Sequence, residues 1–292
     1  MLNIRIIKWT GRLGNNVVQL ANAVWLAKTI KTNIVYIPPH PILKISSLHQ
    51  RYLVHNPQII NNKNFFDAKL FDIKDAKSLT NKRPTHADYY EIFQNIIYNI
   101  LPDNIKSSKP LDNDTLVIHV RSGDCFKETT SQPHRLYVPL PLSYFKKVII
   151  DSYAKRYWKT ILVVTESDRV NPVIDELGVW LNKEYPMIKY MVQSSDLQTD
   201  MITILSAKHL VLSIGFFSKI LAMLSKHLKC IYYCDRLYED RLFEDKSCVY
   251  YKIDNYTKQG DWTDSIDQRK LITSHSLENI SLLHEHTFYN LN

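Results

Sequence analysis

The sequence predicts an α/β protein with parallel sheets, and three observations lead to this class. Strand-like runs alternate with helix-like periodicity along most of the 292 residues. The opening segment has the order strand, helix, strand, which favours parallel pairing. Four of the six glycines lie in three segments that each follow a strand-like run, residues 11–15, 119–124 and 212–218. Because glycine lowers the cost of tight turns and of close ligand approach, we expect these three loops to form one site.

Residues 1–110 are predicted to form an N-terminal α/β domain. Its predicted elements are a strand over 4–8, a helix over 17–30, a strand over 33–37 and a helix over 89–100. The loop between the first strand and helix contains Gly11 to Asn15. The stretch 102–114 is rich in Asp, Asn, Ser, Lys and Pro, which is typical of a linker.

Residues 111–250 are predicted to form a second, Rossmann-like domain, because five strands alternate with helices. The strands are expected over 116–120, 160–165, 188–192, 209–213 and 229–233, and the helices over 142–157, 172–182, 197–207 and 217–227. Ligands of such sheets bind beyond the carboxyl ends of the strands, where the glycine loops lie. The tail has weak periodicity, and residues 251–292 are expected to pack back as an extension.

Composition limits the classes of partner without choosing among them. The net charge of +8 indicates an anionic partner, which nucleic acid, a membrane surface, a nucleotide or phosphate would each satisfy. The lysines are scattered and most tyrosines lie in apolar stretches, which favours an ordinary globular surface over a nucleic-acid face. The four cysteines form no CxxC pair, so structural thiols are expected rather than a metal site. Without a leader or an apolar run of about 20 residues, we expect a soluble, cytoplasmic protein with no transmembrane segment.

The second glycine loop contains a candidate anion site. His119 and Arg121 are expected on the same face as the chain leaves its strand, because side chains alternate along a strand. A guanidinium suits a phosphate or diphosphate, and Gly123 would let the backbone approach the anion. The alternative is a local ion pair between Arg121 and Asp124, with His119 as a core histidine.

The first glycine loop has two interpretations. Gly14 and Asn15 precede a helix, whose free amides would attract an anion, but an ordinary turn with Asn as N-cap fits equally well. This loop lacks G-x-G-x-x-G, and the chain has no G-x-x-x-x-G-K-[ST] motif. The sequence therefore disfavours a dehydrogenase and a P-loop nucleotidase.

The three loops together resemble fucosyltransferases. GRLGN at 11–15 resembles the helix entry of α1,2-fucosyltransferases (glycosyltransferase family 11) and of protein O-fucosyltransferases, and HVRSGD at 119–124 resembles their H-x-R-x-G-D motif. Residues 207–224 are more loosely similar to a third segment of the family, A-x-x-L/I-V-x-S-x-S-T-F-S-W-W. The order and spacing of these matches cover residues 4–225.

The resemblance implies a GT-B fold, with two Rossmann-like domains facing a cleft and the N-terminal one on the acceptor side. It also implies inverting transfer of L-fucose from GDP-fucose to a hydroxyl of a glycan acceptor, with no metal required. Arg121 would hold the diphosphate and stabilise the charge of the leaving group. The implied catalytic residues are Arg121, Asp124 and Asn15, and the implied donor-binding residues are His119, Arg121, Gly14, Gly123, Ser213, Phe217 and Ser218.

Two features leave the chemistry open. Gly215-Phe216 stands where the family usually has Ser-Thr, which puts the donor sugar in doubt. The base that accepts the acceptor's proton is unsettled: Asp124 is the first candidate, Glu166 and Asp168 follow, and a loose route without a base is a further alternative. Another GDP- or UDP-sugar donor, a non-catalytic binding protein and, most distantly, a nucleic-acid binder are the competing functions.

Overall fold

The computed structural model describes residues 2–32, 34–45, 53–55, 65–68, 80–237 and 246–286. The chain divides into two compact units, Met1–Ser107 and Ser108–Asn292, whereas the sequence placed the boundary at 110/111. Each unit carries helices and a sheet built mainly from parallel strands. The predicted α/β class is therefore confirmed.

The first unit has a four-stranded parallel sheet in the order β3-β2-β1-β4. Its elements are β1 (Asn3–Arg5), α1 (Leu13–Thr29), β2 (Val35–Ile37), β3 (Leu53–His55), β4 (Phe65–Asp67), α2 (His86–Ile92) and α3 (Asp103–Lys106). A π-helical turn, Phe93–Ile97, and a 3₁₀ turn, Tyr98–Ile100, continue α2. Asn33, where the second predicted strand begins, lies outside the described residues.

Helix α1 begins four residues before the predicted start at position 17. Gly11 has a positive φ of 71°, so the chain turns there, and Arg12 serves as an N-cap without a side-chain hydrogen bond. Gly14 and Asn15 consequently lie in the first helical turn rather than in a loop. The sequence prediction was wrong here because glycine and asparagine are poor helix formers and therefore suggested a loop. In the first turn, however, these residues cost the helix little stability.

The second unit has a seven-stranded sheet in the order β11-β10-β9-β8-β5-β6-β7. Its strands are β5 (Thr115–Val120), β6 (Thr160–Thr165), β7 (Lys189–Gln193), β8 (His209–Val211), β9 (Cys230–Cys234), β10 (Ser247–Ile253) and β11 (Ile280–His286). Its helices are α4 (Leu142–Tyr153), α5 (Val173–Glu184), α6 (Leu197–Ser206), α7 (Phe217–Leu224) and α8 (Ile266–Ser274). All strand pairs are parallel except β10 with β11, and all six residues of β5 are buried, as is usual inside a parallel sheet.

The prediction of five strands was wrong for this unit, because β10 and β11 extend the sheet. Six of the seven residues of β11 are exposed, so its sequence lacks the alternation that reveals a half-buried strand. The segment 251–292, predicted as an extension, thus supplies part of β10, helix α8 and β11. Helices α4 and α7 also end earlier than predicted, at Tyr153 and Leu224.

The C-terminal segment 256–269 holds the long loop that follows β5. Five hydrogen bonds and one ion pair join it to residues 125–139: Trp262 Nε1 to the Cys125 carbonyl (2.6 Å), Lys127 N to Asp264 Oδ2 (2.7 Å), Tyr256 Oη to the Pro139 carbonyl (2.8 Å), Gly260 N to the Arg135 carbonyl (3.1 Å), Gln259 Nε2 to the Leu136 carbonyl (3.2 Å), and Arg269 with Glu128. These contacts fix the course of a loop that has little regular structure of its own.

We expect Trp262→Phe to lower the free energy of unfolding by about 1–3 kcal/mol, because it leaves the buried Cys125 carbonyl without its donor. Trp9 offers a matched control, since its Nε1 donates to the Pro39 carbonyl at an exposed site. Chemical denaturation of both Trp→Phe variants checks this. Equal losses in the two variants would contradict the role assigned to Trp262.

Candidate functional site

The second sheet has a topological switch point between β5 and β8. The chain runs from β5 to β6 and β7 on one side, and then returns to β8 and β9 on the other. Ligands of doubly wound sheets bind in the crevice beyond the carboxyl ends of the two strands at such a point. The loops that meet there are residues 121–125 and 212–218, two of the three glycine loops singled out in the sequence.

The backbone of Arg121 joins three strand ends. Its amide donates to Ser213 Oγ (3.1 Å), and its carbonyl accepts from Asn171 Nδ2 (2.8 Å). Ser213 follows β8 and Asn171 follows β6. The guanidinium therefore extends from a backbone position that is fixed on both sides.

The side chain of Arg121 is enclosed, with 9% of its surface exposed. Nη2 donates to Asp124 Oδ1 (2.6 Å), and the guanidinium carbon lies 4.5 Å from the centre of the Tyr137 ring. Nε is buried and makes no hydrogen bond to any group in the described part of the chain. A buried donor without an acceptor is costly, so Arg121 Nε points to an anionic ligand as its acceptor.

The Arg121 side chain stays positively charged at every working pH. Burial disfavours the cation, but Cys125, Asp124 and Glu166 outweigh burial and raise the pKa of Arg121 above its ordinary value. A permanent buried cation at a switch point is suited to a phosphate or diphosphate.

Gly215 makes room for this guanidinium. It has a φ of +86°, and a Cβ atom there would come within 2.8 Å of Arg121 Nη1. A larger residue would be strained and would also displace the cation. Gly215, one of the two departures from the Ser-Thr pair of the fucosyltransferases that the sequence resembles, thus has a structural reason in this chain, which the sequence did not reveal.

Glu166 and Asp168 accept hydrogen bonds from the loop that follows β5 and so hold it in place. Glu166 Oε2 accepts from the Ser122 amide (2.6 Å), and Asp168 Oδ1 accepts from Ser122 Oγ and from the Gly123 amide (3.2 Å). The Gly123 amide, expected to approach an anion, is therefore bound to a carboxylate here. Both acids act on the position of the Arg121 loop.

His119 and Phe217 lie together at the start of the crevice. Their ring centres are 5.5 Å apart, His119 is buried, and its Nδ1 makes no hydrogen bond to a described residue. Burial, with a contribution from Arg121, lowers the pKa of His119 to about 3. The imidazole is consequently neutral at neutral pH.

The buried His119 predicts a loss of stability in acid. His119 takes up a proton near pH 6.5 in the unfolded chain but only near pH 3 in the folded protein. The free energy of unfolding therefore falls as the pH decreases from 6.5 to 3, by at most about 1.4 kcal/mol per pH unit. Denaturation of the wild type and His119→Leu between pH 7 and 4 should give a shallower pH slope for the variant. His209, whose pKa burial also lowers to about 3, retains part of the slope. Identical slopes would contradict this account.

Ser213 and Ser218 support the third loop from inside. Ser213 Oγ accepts from the Arg121 amide, and the Ser213 amide donates to Ser218 Oγ (3.4 Å). Both side chains are buried, and helix α7 begins at Phe217 without a side-chain cap. The donor-binding role that the resemblance implies for Ser218 would require its enclosed hydroxyl to become accessible.

Gly14 and Asn15 belong to the first unit, whose sheet has its own switch point between β1 and β4. Asn15 packs over Gly11, where a Cβ atom would come within 2.3 Å of Asn15 Nδ2. Gln19, which the sequence analysis did not single out, ties this loop down: Nε2 donates to the carbonyls of Lys8 (3.1 Å) and Ala68 (3.0 Å), and Oε1 accepts from the Thr10 amide (3.1 Å).

Asn16 and His40 complete the support of this first loop. Asn16 Nδ2 donates to the Thr10 carbonyl (2.9 Å). His40 Nδ1 accepts from two backbone amides, those of Ile42 and Leu43, so the proton sits on Nε2, which donates to Asn16 Oδ1 (3.2 Å). Burial lowers the pKa of His40 to about 4, in agreement with this neutral tautomer.

Sequence reasoning missed Tyr137, Asn171, Gln19 and the 256–269 segment. Each acts through contacts between residues distant in sequence, for which a single sequence carries no signal. Among the described residues, no group of three or more His, Cys, Asp or Glu side chains could hold a metal ion. No helix in the described ranges is long and apolar enough to cross a bilayer.

Comparisons with known proteins give limited similarity. No family model and no curated protein matches the chain. Among solved structures, the chain is similar to POFUT1 in complex with GDP-fucose in two crystal forms, at 13% and 14% identity and TM-scores of 0.46 and 0.44. The matches cover 80% and 79% of this chain and 97% of the POFUT1 chain in each case. The assignment of the site therefore rests on this chain's own residues and contacts.

Proposed function

We propose that this protein is an inverting glycosyltransferase that transfers L-fucose from GDP-fucose to a hydroxyl of a glycan acceptor. The observation that carries the proposal is Arg121, a buried cation at the switch point of the second sheet whose Nε makes no hydrogen bond to a described group. The resemblance of its loop to the H-x-R-x-G-D motif supports the choice of a nucleotide-sugar donor.

In the proposed reaction, the acceptor oxygen attacks C1 of the fucose, and the bond from C1 to the β-phosphate oxygen breaks. The electron pair of that bond leaves with GDP, so negative charge grows on the diphosphate. Arg121 lies in a largely enclosed environment, where a fixed cation stabilises such charge strongly. Asp124 and Tyr137 hold the guanidinium in place before the donor binds.

The acceptor's proton must pass to a base or to solvent. Asp124, our first candidate, is 33% exposed but paired with Arg121, which favours a role in positioning the cation. Glu166 and Asp168 hold backbone amides of the same loop. Asn15 and Gly14 of the first unit are proposed to approach the sugar or the acceptor, and a loose, oxocarbenium-like route without a base remains the alternative.

A thermal-shift panel tests the donor, because a ligand that binds only the folded state raises the apparent stability. We expect stabilisation by GDP and GDP-fucose, and none by UDP or UDP-sugars. A response to UDP alone would overturn the donor, and a response to GDP-mannose but not GDP-fucose would change the sugar. The absence of stabilisation by every member of the panel would contradict the proposal of a nucleotide-sugar enzyme.

Turnover separates an enzyme from a binding protein. We expect slow hydrolysis of GDP-fucose without acceptor, unaffected by EDTA. Binding without hydrolysis or transfer would favour a non-catalytic carbohydrate- or nucleotide-binding protein, and loss of turnover in EDTA would overturn the metal-free proposal. Affinity for unrelated oligonucleotides that falls steeply with salt would support the nucleic-acid alternative.

A further inference from the structure

A cleft of about 110 Å³ lies beside the Arg121 site, at the same edge of the second sheet. The described residues that line it are Leu136, Val138, Ile214, Asp235, Arg236 and Gln259. One wall continues the glycine loop, because Ile214 precedes Gly215. The other wall flanks Tyr137, the residue that covers the Arg121 guanidinium. A ligand anchored on Arg121 would thus have this cleft as its neighbour.

The polar end of the cleft is an acid and a guanidinium with unused hydrogen-bonding capacity. Asp235 Oδ1 accepts from the Ile253 amide (3.2 Å) and lies 3.8 Å from Arg236 Nε. Arg236 Nη2 donates to the Ile253 carbonyl (3.0 Å), while its Nε makes no hydrogen bond within the described ranges. Burial raises the pKa of Asp235 although Arg236 opposes the shift, which indicates that this carboxylate is incompletely solvated.

The charges of the cleft select a neutral ligand rich in hydroxyl groups. An anion would meet Asp235, and a cation would meet Arg236, because the two opposite charges lie side by side. A hydroxyl group both donates and accepts, so it can serve a carboxylate oxygen and a guanidinium together. Val138 and Ile214, both buried, supply an apolar wall for the C–H face of a ring.

The opposite side of Arg121 is less suited to this role. The two acids at the end of β6, Glu166 and Asp168, already accept hydrogen bonds from the amides of Ser122 and Gly123. A sugar ring there would have to compete with the contacts that hold the Arg121 loop. The hydrogen bonds that the Asp235 and Arg236 side chains make to backbone groups go to Ile253, so they do not hold the Arg121 loop.

We infer that the cleft at Asp235 and Arg236 binds a sugar ring attached to the diphosphate held by Arg121. The inference rests on the proposed function and deepens it, since it places one ring of the nucleotide sugar on the β8 and β9 side of the sheet. That ring is either the transferred hexose or the ribose of the nucleotide, which have the same hydroxyl chemistry.

Two variants test the cleft by calorimetric titration with inorganic pyrophosphate, GDP and GDP-fucose. Leu136→Trp fills the cleft from a position that is 53% exposed, and it keeps the carbonyl that Gln259 binds. Asp235→Asn keeps an oxygen for the Ile253 amide but removes the charge. Asp175→Asn, at an exposed site on α5, is the matched control.

We expect both cleft variants to lower the affinity for the sugar-bearing ligand at least about tenfold. Their affinity for pyrophosphate should not change, and the control variant should bind all three ligands as the wild type does. A loss of affinity for GDP-fucose alone identifies the ring in the cleft as the hexose. Equal losses of affinity for GDP and GDP-fucose identify it as the ribose. Wild-type affinity for all three ligands in both variants would overturn the inference and leave the proposed function intact. If the wild type binds none of the three, the proposed function fails and the inference fails with it.

Discussion

Replacement of Arg121 with alanine is expected to lower the rates of the proposed fucosyl transfer and donor hydrolysis by about 10²–10³-fold, the usual cost of removing one group that stabilises developing negative charge. The substitution leaves the two backbone hydrogen bonds of residue 121 in place, so the loop keeps its anchors on Ser213 and Asn171. The stabilisation of the protein by GDP should be lost in parallel. Initial-rate measurements and thermal shifts on the same preparations check both results.

Arg156 provides the control for this variant. It lies before the amino end of β6, whereas Arg121 follows the carboxyl end of β5. Its guanidinium donates to the Asn113 carbonyl. Arg156→Ala should retain GDP binding and turnover. If Arg121→Ala binds GDP as the wild type does, Arg121 is not the diphosphate anchor, and the interpretation as a local ion pair with Asp124 gains support.

Gly215→Ala is expected to have the second largest effect. Alanine at a φ of +86° is strained by about 1–2 kcal/mol. Its Cβ would also come 2.8 Å from Arg121 Nη1, so the guanidinium must move. We expect the affinity for GDP to fall at least about tenfold, or about 1.4 kcal/mol. Titration with GDP measures this loss directly.

Gly260 separates the two effects of that substitution. It has a similar φ of +94°, but no atom lies within 4 Å of its ideal Cβ position. Gly260→Ala should therefore lose stability through backbone strain while it retains GDP affinity. An equal loss of affinity in both variants would show that the close approach of Gly215 to Arg121 does not matter for binding.

The sequence predicted the parts of the fold whose pattern is local. β6 was predicted residue for residue over 160–165, and the buried strand β5 was placed to within one residue, because both are apolar runs bounded by polar loops. The exposed strand β11 has no such pattern, and it was missed. The apolar run that identified β5 also placed Arg121 at its carboxyl end, where the switch point lies.

The contacts of the site were much less predictable. The pairing of Arg121 with Asp124 was foreseen as one of two alternatives, because the residues are three apart. Tyr137 over the guanidinium and Asn171 on its carbonyl were not foreseen, because loop conformation decides them. The sequence likewise named Gly215 as a departure from a family pattern, and only its distance to Arg121 gives the departure a physical reason.

The dependence of the loop at 125–139 on the segment 256–269 has a consequence for synthesis of the protein. Trp262 lies 137 positions after Cys125, whose carbonyl it binds, and Asp264 lies the same number of positions after Lys127. Strands β5 to β9 emerge from the ribosome well before these partners, so a growing chain has the cation of Arg121 while the loop beside it is unsupported. A ribosome stalled near position 250 would therefore carry a nascent chain whose loop at 125–139 has none of the contacts that segment 256–269 supplies.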